Sequence, residues 1–205
     1  MTQPLRSASP LTGPSAVLAE LYAEDRREHA AVPPVGTAAY RALRERDRQR
    51  RESADARLTA LRTSGVPSPV DLYHAAWLFN HGEHAAEARR AHDLAREAAE
   101  RGHAPARWLA AAAYDRSCMY EGRPQRYGTQ FAPDGVRYRL WDVEPATTDA
   151  ERAAWDVPPL AQQLRRAEEM TRTDPQPRLD GAPGWLTDAV VRWRAARPGG
   201  EGPAG

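Results

Sequence analysis

Lysine and isoleucine do not occur among the 205 residues, asparagine occurs once, at Asn80, and cysteine once, at Cys118. A lone cysteine rules out an internal disulfide framework and every multi-cysteine zinc or iron–sulfur site. A chain without lysine cannot carry the GxxxxGK[ST] phosphate loop. All 29 basic residues are therefore arginine, a usage that reads as the composition of a GC-rich bacterial genome and carries no functional message. No apolar run approaches the roughly 20 residues a membrane helix needs. The first residues, MTQPLRSASPLTGPSA, show neither an apolar segment nor a signal cleavage pattern. A soluble cytoplasmic protein with no membrane partner is the expectation. Basic and acidic residues number 29 and 28, a net charge of +1, so no global field favours nucleic acid or acidic lipid. The arginine-rich stretch 41–57 is interleaved with Glu45, Asp47, Glu52 and Asp55, the pattern of a solvated helix face. Nothing resembling a helix-turn-helix or an aromatic and basic platform accompanies it, and nucleic acid is not an expected partner.

What is present is helical periodicity. The 41% apolar fraction is enough for one modest core. Residues 1–14 are rich in Pro, Ser, Thr and Gly and read as a disordered tail. Val17, Leu18, Leu21 and Tyr22 then recur at helical spacing up to about His29, ahead of Pro33-Pro34. Thr37 is placed to cap a long second helix to about Arg62, carrying Tyr40, Leu43, Ala54, Leu58 and Leu61 on one side. Ser68 and Pro69 start a third, the most apolar, to about Asn80. A fourth over 83–101 shows a stripe of alanines, and a fifth begins at Pro105 and reaches about Ser117 or Met119. Between residues 121 and 143 glycines and prolines break the helical pattern. Pro133-Asp134-Gly135 separates 127–131 from the alternating Val136, Tyr138 and Leu140, a hairpin signal over about 127–141. Helix returns over about 148–155 and 158–171, residues 172–183 read as a linker, and an amphipathic helix over 184–197 precedes a second disordered tail at 198–205. The predicted fold is all-α: a multi-helix bundle over 15–171 with a small β-hairpin near its C-terminal third, followed by the linker and the last helix.

Function shows best where a polar residue occupies a position the pattern reserves for core, because burying it costs several kcal/mol unless something compensates. Asp25 follows Leu21 and Tyr22 by one turn, and Asp47 follows Leu43 in the same way, with Arg51 one turn further on. Either aspartate can also be half of a surface ion pair. His81 and His84 lie three apart around Gly82, close enough for two imidazoles to reach one metal or one substrate group. The order HGEH is not the HExxH of zinc proteases, and a helix cap at His81 with a solvated His84 is the competing reading. Asp115-Arg116 closes the fifth helix before the loop Glu121-Gly-Arg-Pro-Gln-Arg-Tyr-Gly-Thr-Gln-Phe131, where Tyr127, Thr129 and Gln130 gather hydrogen-bonding groups around Gly128. Such a loop suits a small polar or anionic ligand. No GxSxG elbow supports serine catalysis.

These residues resemble a family of uncharacterised bacterial domains marked by an AWL…QH segment, an AY…DR segment and an EG…Q.YGTQF loop. Here they read Ala76-Trp77-Leu78 with Asn80-His81, Ala113-Tyr114-Asp115-Arg116, and Glu121-Gly122 with Gln125 and Tyr127-Gly-Thr-Gln-Phe131. The likeness runs from about Val17 to Leu160 and takes in Asp25, Asp47 and Pro158-Pro159-Leu160. Family members often carry QHADHD where this chain has Asn80-His-Gly-Glu-His-Ala85. The resemblance implies a largely helical domain and supplies no activity and no cofactor.

Two functions follow. In the first, His81, Asp47 and Asp115 are catalytic, with His81 as general acid or base, and Asp25, Arg116, Tyr127, Thr129 and Gln130 bind the substrate of a hydrolase or transferase. In the second, the DR and YGTQ residues are a structural hydrogen-bond network in a non-catalytic interaction protein. The last helix, with Trp185 and Trp193 eight apart, then serves as a homodimer contact or folds back on its own core. No metal is assigned from the sequence, and the cofactor is left open.

Overall fold

The computed structural model describes residues 13–176 and 179–196. The expected disordered tails lie outside these residues, apart from Gly13 and Pro14. Among the described residues there are eight helices: α1 (Ala16–Glu28), α2 (Ala38–Ser64), α3 (Pro69–Asn80), α4 (Ala85–Glu100), α5 (Ala106–Tyr120), α6 (Asp149–Ala154), α7 (Leu160–Thr173) and α8 (Gly184–Ala195). A two-stranded antiparallel hairpin, β1 (Phe131–Pro133) and β2 (Tyr138–Leu140), stands between α5 and α6. The fold is mostly helical with a small hairpin, as the periodicity predicts. No described helix is long and apolar enough to cross a membrane. The chain divides into two compact units, one holding α1 to α3 with Arg90–Leu109, the other Glu83–Arg89 and everything from Ala110 onward.

In the first, helical unit, polar caps set where each helix begins. The hydroxyls of Ser15 and Thr37 accept the N–H groups of Leu18 and Tyr40. Ser68 and Asp71 form a reciprocal capping box with Pro69 in the first turn, satisfying donors that no helical carbonyl can reach. Asp71 also accepts the Ser15 N–H at 2.7 Å, tying the start of α1 to the start of α3. Leu18, Leu43, Ala54, Leu58, Leu72, Ala75, Ala76 and Leu78 are fully buried along the three helices. Each of these leucines, removed from water, stabilises the core by about 1.5–3 kcal/mol.

The second, hairpin unit is built around Trp141, which is fully buried and meets Trp185 and Trp193 edge-on at 5.7 and 5.4 Å between ring centres. Met119, Ala132, Leu186, Ala189 and Val190 complete this core. Leu186, Ala189, Val190 and Trp193 of α8 are thus packed into the core of their own unit. The strands pair Phe131 with Leu140, Ala132 with Arg139 and Pro133 with Tyr138. Asp134 closes the turn by accepting the N–H groups of Val136 and Arg137, both at 2.9 Å, and Gly135 supplies the positive φ of 91°. Residues 127–130, read from the sequence as the first strand, are not in the hairpin. Their backbone donors turn instead to side chains, above all Asp115.

Candidate functional site

The sequence-predicted site residues fall into two clusters, one in each unit. In the helical unit Asp25 sits on the last turns of α1 and Asp47 on α2, both about 1–2% exposed. His29 caps the C-terminus of α1 and His81 that of α3. His81 Nδ1 hydrogen-bonds Asp25 Oδ1 at 3.1 Å, and Asp25 Oδ2, though 3.0 Å from the same nitrogen, lies outside hydrogen-bond geometry. His29 Nε2 is 3.1 Å from Asp47 Oδ1 and 3.7 Å from Asp25 Oδ1. The two imidazoles stack, their centres 3.9 Å apart and their planes 18° from parallel. Both side chains keep 16% of their surface open to solvent, so the cluster has buried acids behind and accessible rings in front.

Arginines complete the electrostatics. Asp47 accepts from Arg44 at 2.8 Å and from Arg50 at 2.6 Å. Burial by itself raises the Asp47 pKa, but hydrogen bonds from His29 and Arg50 and the charge of Arg44 outweigh it and hold the acid below the usual carboxylate range. Arg50 also reaches Glu28 at 2.8 Å, and Arg46 holds Glu28 at 2.7 Å. Arg44 spans the cluster, donating to the His81 carbonyl at 2.6 Å as well as to Asp47.

His29 escaped the sequence reading, which placed it only at the end of a helix. Its spacing of four from Asp25 puts both on one helix face, a signal that was available. The metal-competent group among the described residues is Asp25, His29 and His81, with one ligand atom from each within 4.8 Å of the others. The second imidazole beside His81 is accordingly His29, and not its sequence neighbour His84. The backbone N–H of His84 is held by Glu87 at 3.1 Å in the other unit.

The cluster in the hairpin unit has a different character. Asp115 is fully buried and accepts four donors: the N–H groups of Arg126 at 2.8 Å, Tyr127 at 3.0 Å and Thr129 at 3.0 Å, and the Thr129 hydroxyl at 2.8 Å. Burial pushes its pKa above the usual range, and these donors pull it back only in part. Gln130 donates to the Ala112 carbonyl and to Thr129 Oγ1, both at 3.1 Å, and accepts from Arg116 at 3.1 Å. Gln125, completely buried, donates to the carbonyls of Gln130 and Trp141 and accepts the Gln130 N–H at 2.8 Å. Arg152, 2% exposed, donates to the Tyr127 and Thr147 carbonyls at 3.0 and 2.8 Å. Gly128, at φ 86°, permits the turn that brings these donors together. Tyr127 itself is buried against Tyr114 and Trp155. Arg152 had no sequence signal, since an arginine in a short amphipathic helix reads as solvated. Cys118 is fully buried, and burial pushes its thiol pKa up, which leaves it a poor nucleophile.

Compared with known proteins, the chain matches no family model, no curated protein and no solved structure.

Proposed function

We propose that the protein is an enzyme or binding protein for a small polar or anionic molecule and that its site is the cluster of Asp25, His29, Asp47 and His81. One observation carries this reading: two solvent-accessible imidazoles stack over a pair of almost fully buried carboxylates. A buried carboxylate orients a ring, selects its tautomer and stabilises its protonated form, which is how acid–base catalysts hold histidine. Asp25 faces Nδ1 of His81 and so directs proton exchange to the opposite side of the ring. Hydrolysis or group transfer on a small substrate is the chemistry this supports.

The test is a thermal-shift screen of small carboxylates, phosphate esters and amides on the wild-type chain and on His81→Ala. The expected result is a saturable rise in Tm with at least one compound that is absent in the variant. Equal shifts in both proteins for every active compound, or no shift at all, would overturn the assignment.

A second reading, a non-catalytic helical interaction protein, draws support from the complete internal bonding of Asp115, Gln125 and Gln130. On either reading these residues, with Arg116, Tyr127 and Thr129, are assigned to architecture and not to catalysis or substrate binding. Gln130→Ala then lowers Tm and leaves every ligand-induced shift in place. Membership of the bacterial family that shares the YGTQF loop is proposed on the motif residues alone.

A further inference from the structure

We propose that Asp25, His29 and His81 bind a divalent transition metal of the zinc and iron(II) class. The proposal rests on the reading above only in placing function at this cluster. Two imidazoles and one carboxylate are a donor set suited to such ions, and a three-residue set leaves coordination positions for water or substrate.

The spacing is suitable. Ligands bound at 2.0–2.1 Å around a tetrahedral ion stand roughly 3.3 Å apart. In the protein, Asp25 Oδ1 is 3.1 Å from His81 Nδ1 and 3.7 Å from His29 Nε2, distances that bracket this edge. Asp25 adds an observation of its own. It is 1% exposed, and its Oδ2 is buried without a hydrogen-bond partner. A buried carboxylate oxygen left unsatisfied costs about 1–3 kcal/mol or more, and a coordinated cation removes that cost.

The helix geometry points the same way. His29 and His81 are the C-terminal caps of α1 and α3, so the negative ends of two helix dipoles meet at the rings, where a cation is favoured. Charge then defines what the loaded site accepts. The acids Asp25, Asp47 and Glu28 are matched by Arg44, Arg46 and Arg50, with Arg50 Nε 3.8 Å from Asp25. Adding a dication to this balanced set leaves a net positive centre that calls for an anionic substrate or a bound hydroxide. Asp47 is already committed to two arginines and serves better as a neighbour of the ion than as a ligand. Coordination through His29 Nε2 and His81 Nδ1 exchanges those nitrogens' hydrogen bonds to Asp47 and Asp25 for bonds to the metal and leaves His81 Nε2 as the nitrogen open to proton exchange. Bound there, the ion would act as a Lewis acid toward substrate or water.

The experiment uses the full chain stripped with a chelator and titrated with Zn2+ by calorimetry and with Co2+ by visible absorption. One equivalent per chain is expected, with the Co2+ spectrum of a four- or five-coordinate nitrogen and oxygen site. His29→Ala and His81→Ala each weaken binding at least about 100-fold, whereas His84→Ala and His92→Ala leave it unchanged. Melting curves of each variant, recorded metal-free, show that the partly exposed histidine variants fold. Failure of the wild-type chain to bind either ion stoichiometrically overturns the proposal, as does binding that survives both His29→Ala and His81→Ala. The small-molecule screen on metal-free protein separates the two readings. Shifts that depend on His81 without any metal affinity sink the metal site alone, and the absence of both sinks the functional assignment as well.

Discussion

Asp25 and Asp115 are the two most deeply buried carboxylates at the positions where a sequence reader looks for function, and they are satisfied in opposite ways. Asp115 is enclosed by three backbone N–H groups and a hydroxyl, all supplied by the loop it organises. Asp25 is faced by two imidazoles and an arginine, and keeps one oxygen without a hydrogen bond. Backbone donors cannot titrate, exchange partners or leave, so an acid bound to them fixes a conformation. Imidazoles can do all three, so an acid bound to them makes a site. The difference separates two groups of polar core residues that look alike in the sequence.

The contrast is sharpest under mutation. Asp115→Ala leaves three N–H groups and a hydroxyl buried without an acceptor and should cost roughly 3–5 kcal/mol of stability, read as a fall in the urea midpoint. Metal titration of whatever folded protein is recovered should be unaltered. A loss below about 1 kcal/mol would show that the loop is held by something else. Gln125→Ala removes three buried hydrogen bonds and should cost about 2–4 kcal/mol, again with no change in ligand-induced shifts. Asp25→Asn inverts the pattern. Its stability cost should be no more than about 1–2 kcal/mol, because Arg50 retains Asp47 and Glu28, while ligand response and Zn2+ affinity are lost. If Asp25→Asn proves as destabilising as Asp115→Ala and binding persists, the two carboxylates belong to one class and the comparison fails.

The smallest effect concerns pH. His74 stacks on Tyr22 with ring centres 4.5 Å apart, and its Nδ1 is buried without a hydrogen bond. Burial lowers its pKa, reinforced by His103 and opposed by Asp71. The folded-state pKa is below the unfolded one, so the unfolded chain takes up the proton first. Stability should therefore be unaffected by this group above about pH 6.5 and decline as pH falls from there through the folded pKa. His74→Phe preserves the stack and should flatten that part of a Tm-against-pH curve without abolishing it, since burial lowers the His103 pKa as well. An unchanged slope would show that His74 is not the group titrating. Asp134 acts in a lower window. Burial raises its pKa, but the N–H groups of Arg137 and Val136 prevail and bring it below the usual range, so the turn loses stability as pH falls below about 4.

Much of the fold was legible because its signals are local. Thr37 and Ser68 with Pro69 could be read as helix starts from a few adjacent residues, and Thr37 and Ser68 do cap α2 and α3; the return of helix near residue 148 was also legible, and there Thr148 caps α6. The first strand was misplaced for an equally physical reason. Tyr127 to Phe131 has the composition of a strand, but an acid from another element, Asp115, captures its backbone donors, and strand propensity is silent about competing acceptors. The site was half legible. Asp25, Asp47 and His81 stood out as polar residues on apolar stripes. His29 did not, because a histidine at a helix end has an ordinary explanation.

By itself the sequence determined the class of the protein: a mostly helical chain with a small hairpin, without an internal disulfide or a multi-cysteine metal site, and with an unusual set of polar residues at core positions. These are consequences of composition and short-range periodicity, which act within a few residues. Only the tertiary structure decided that His81 meets His29 and Asp25, and that Asp115, Gln125 and Gln130 bind one another and their own backbone. Those partners come from different turns and helices, and their pairing depends on how whole elements pack, which no local pattern encodes.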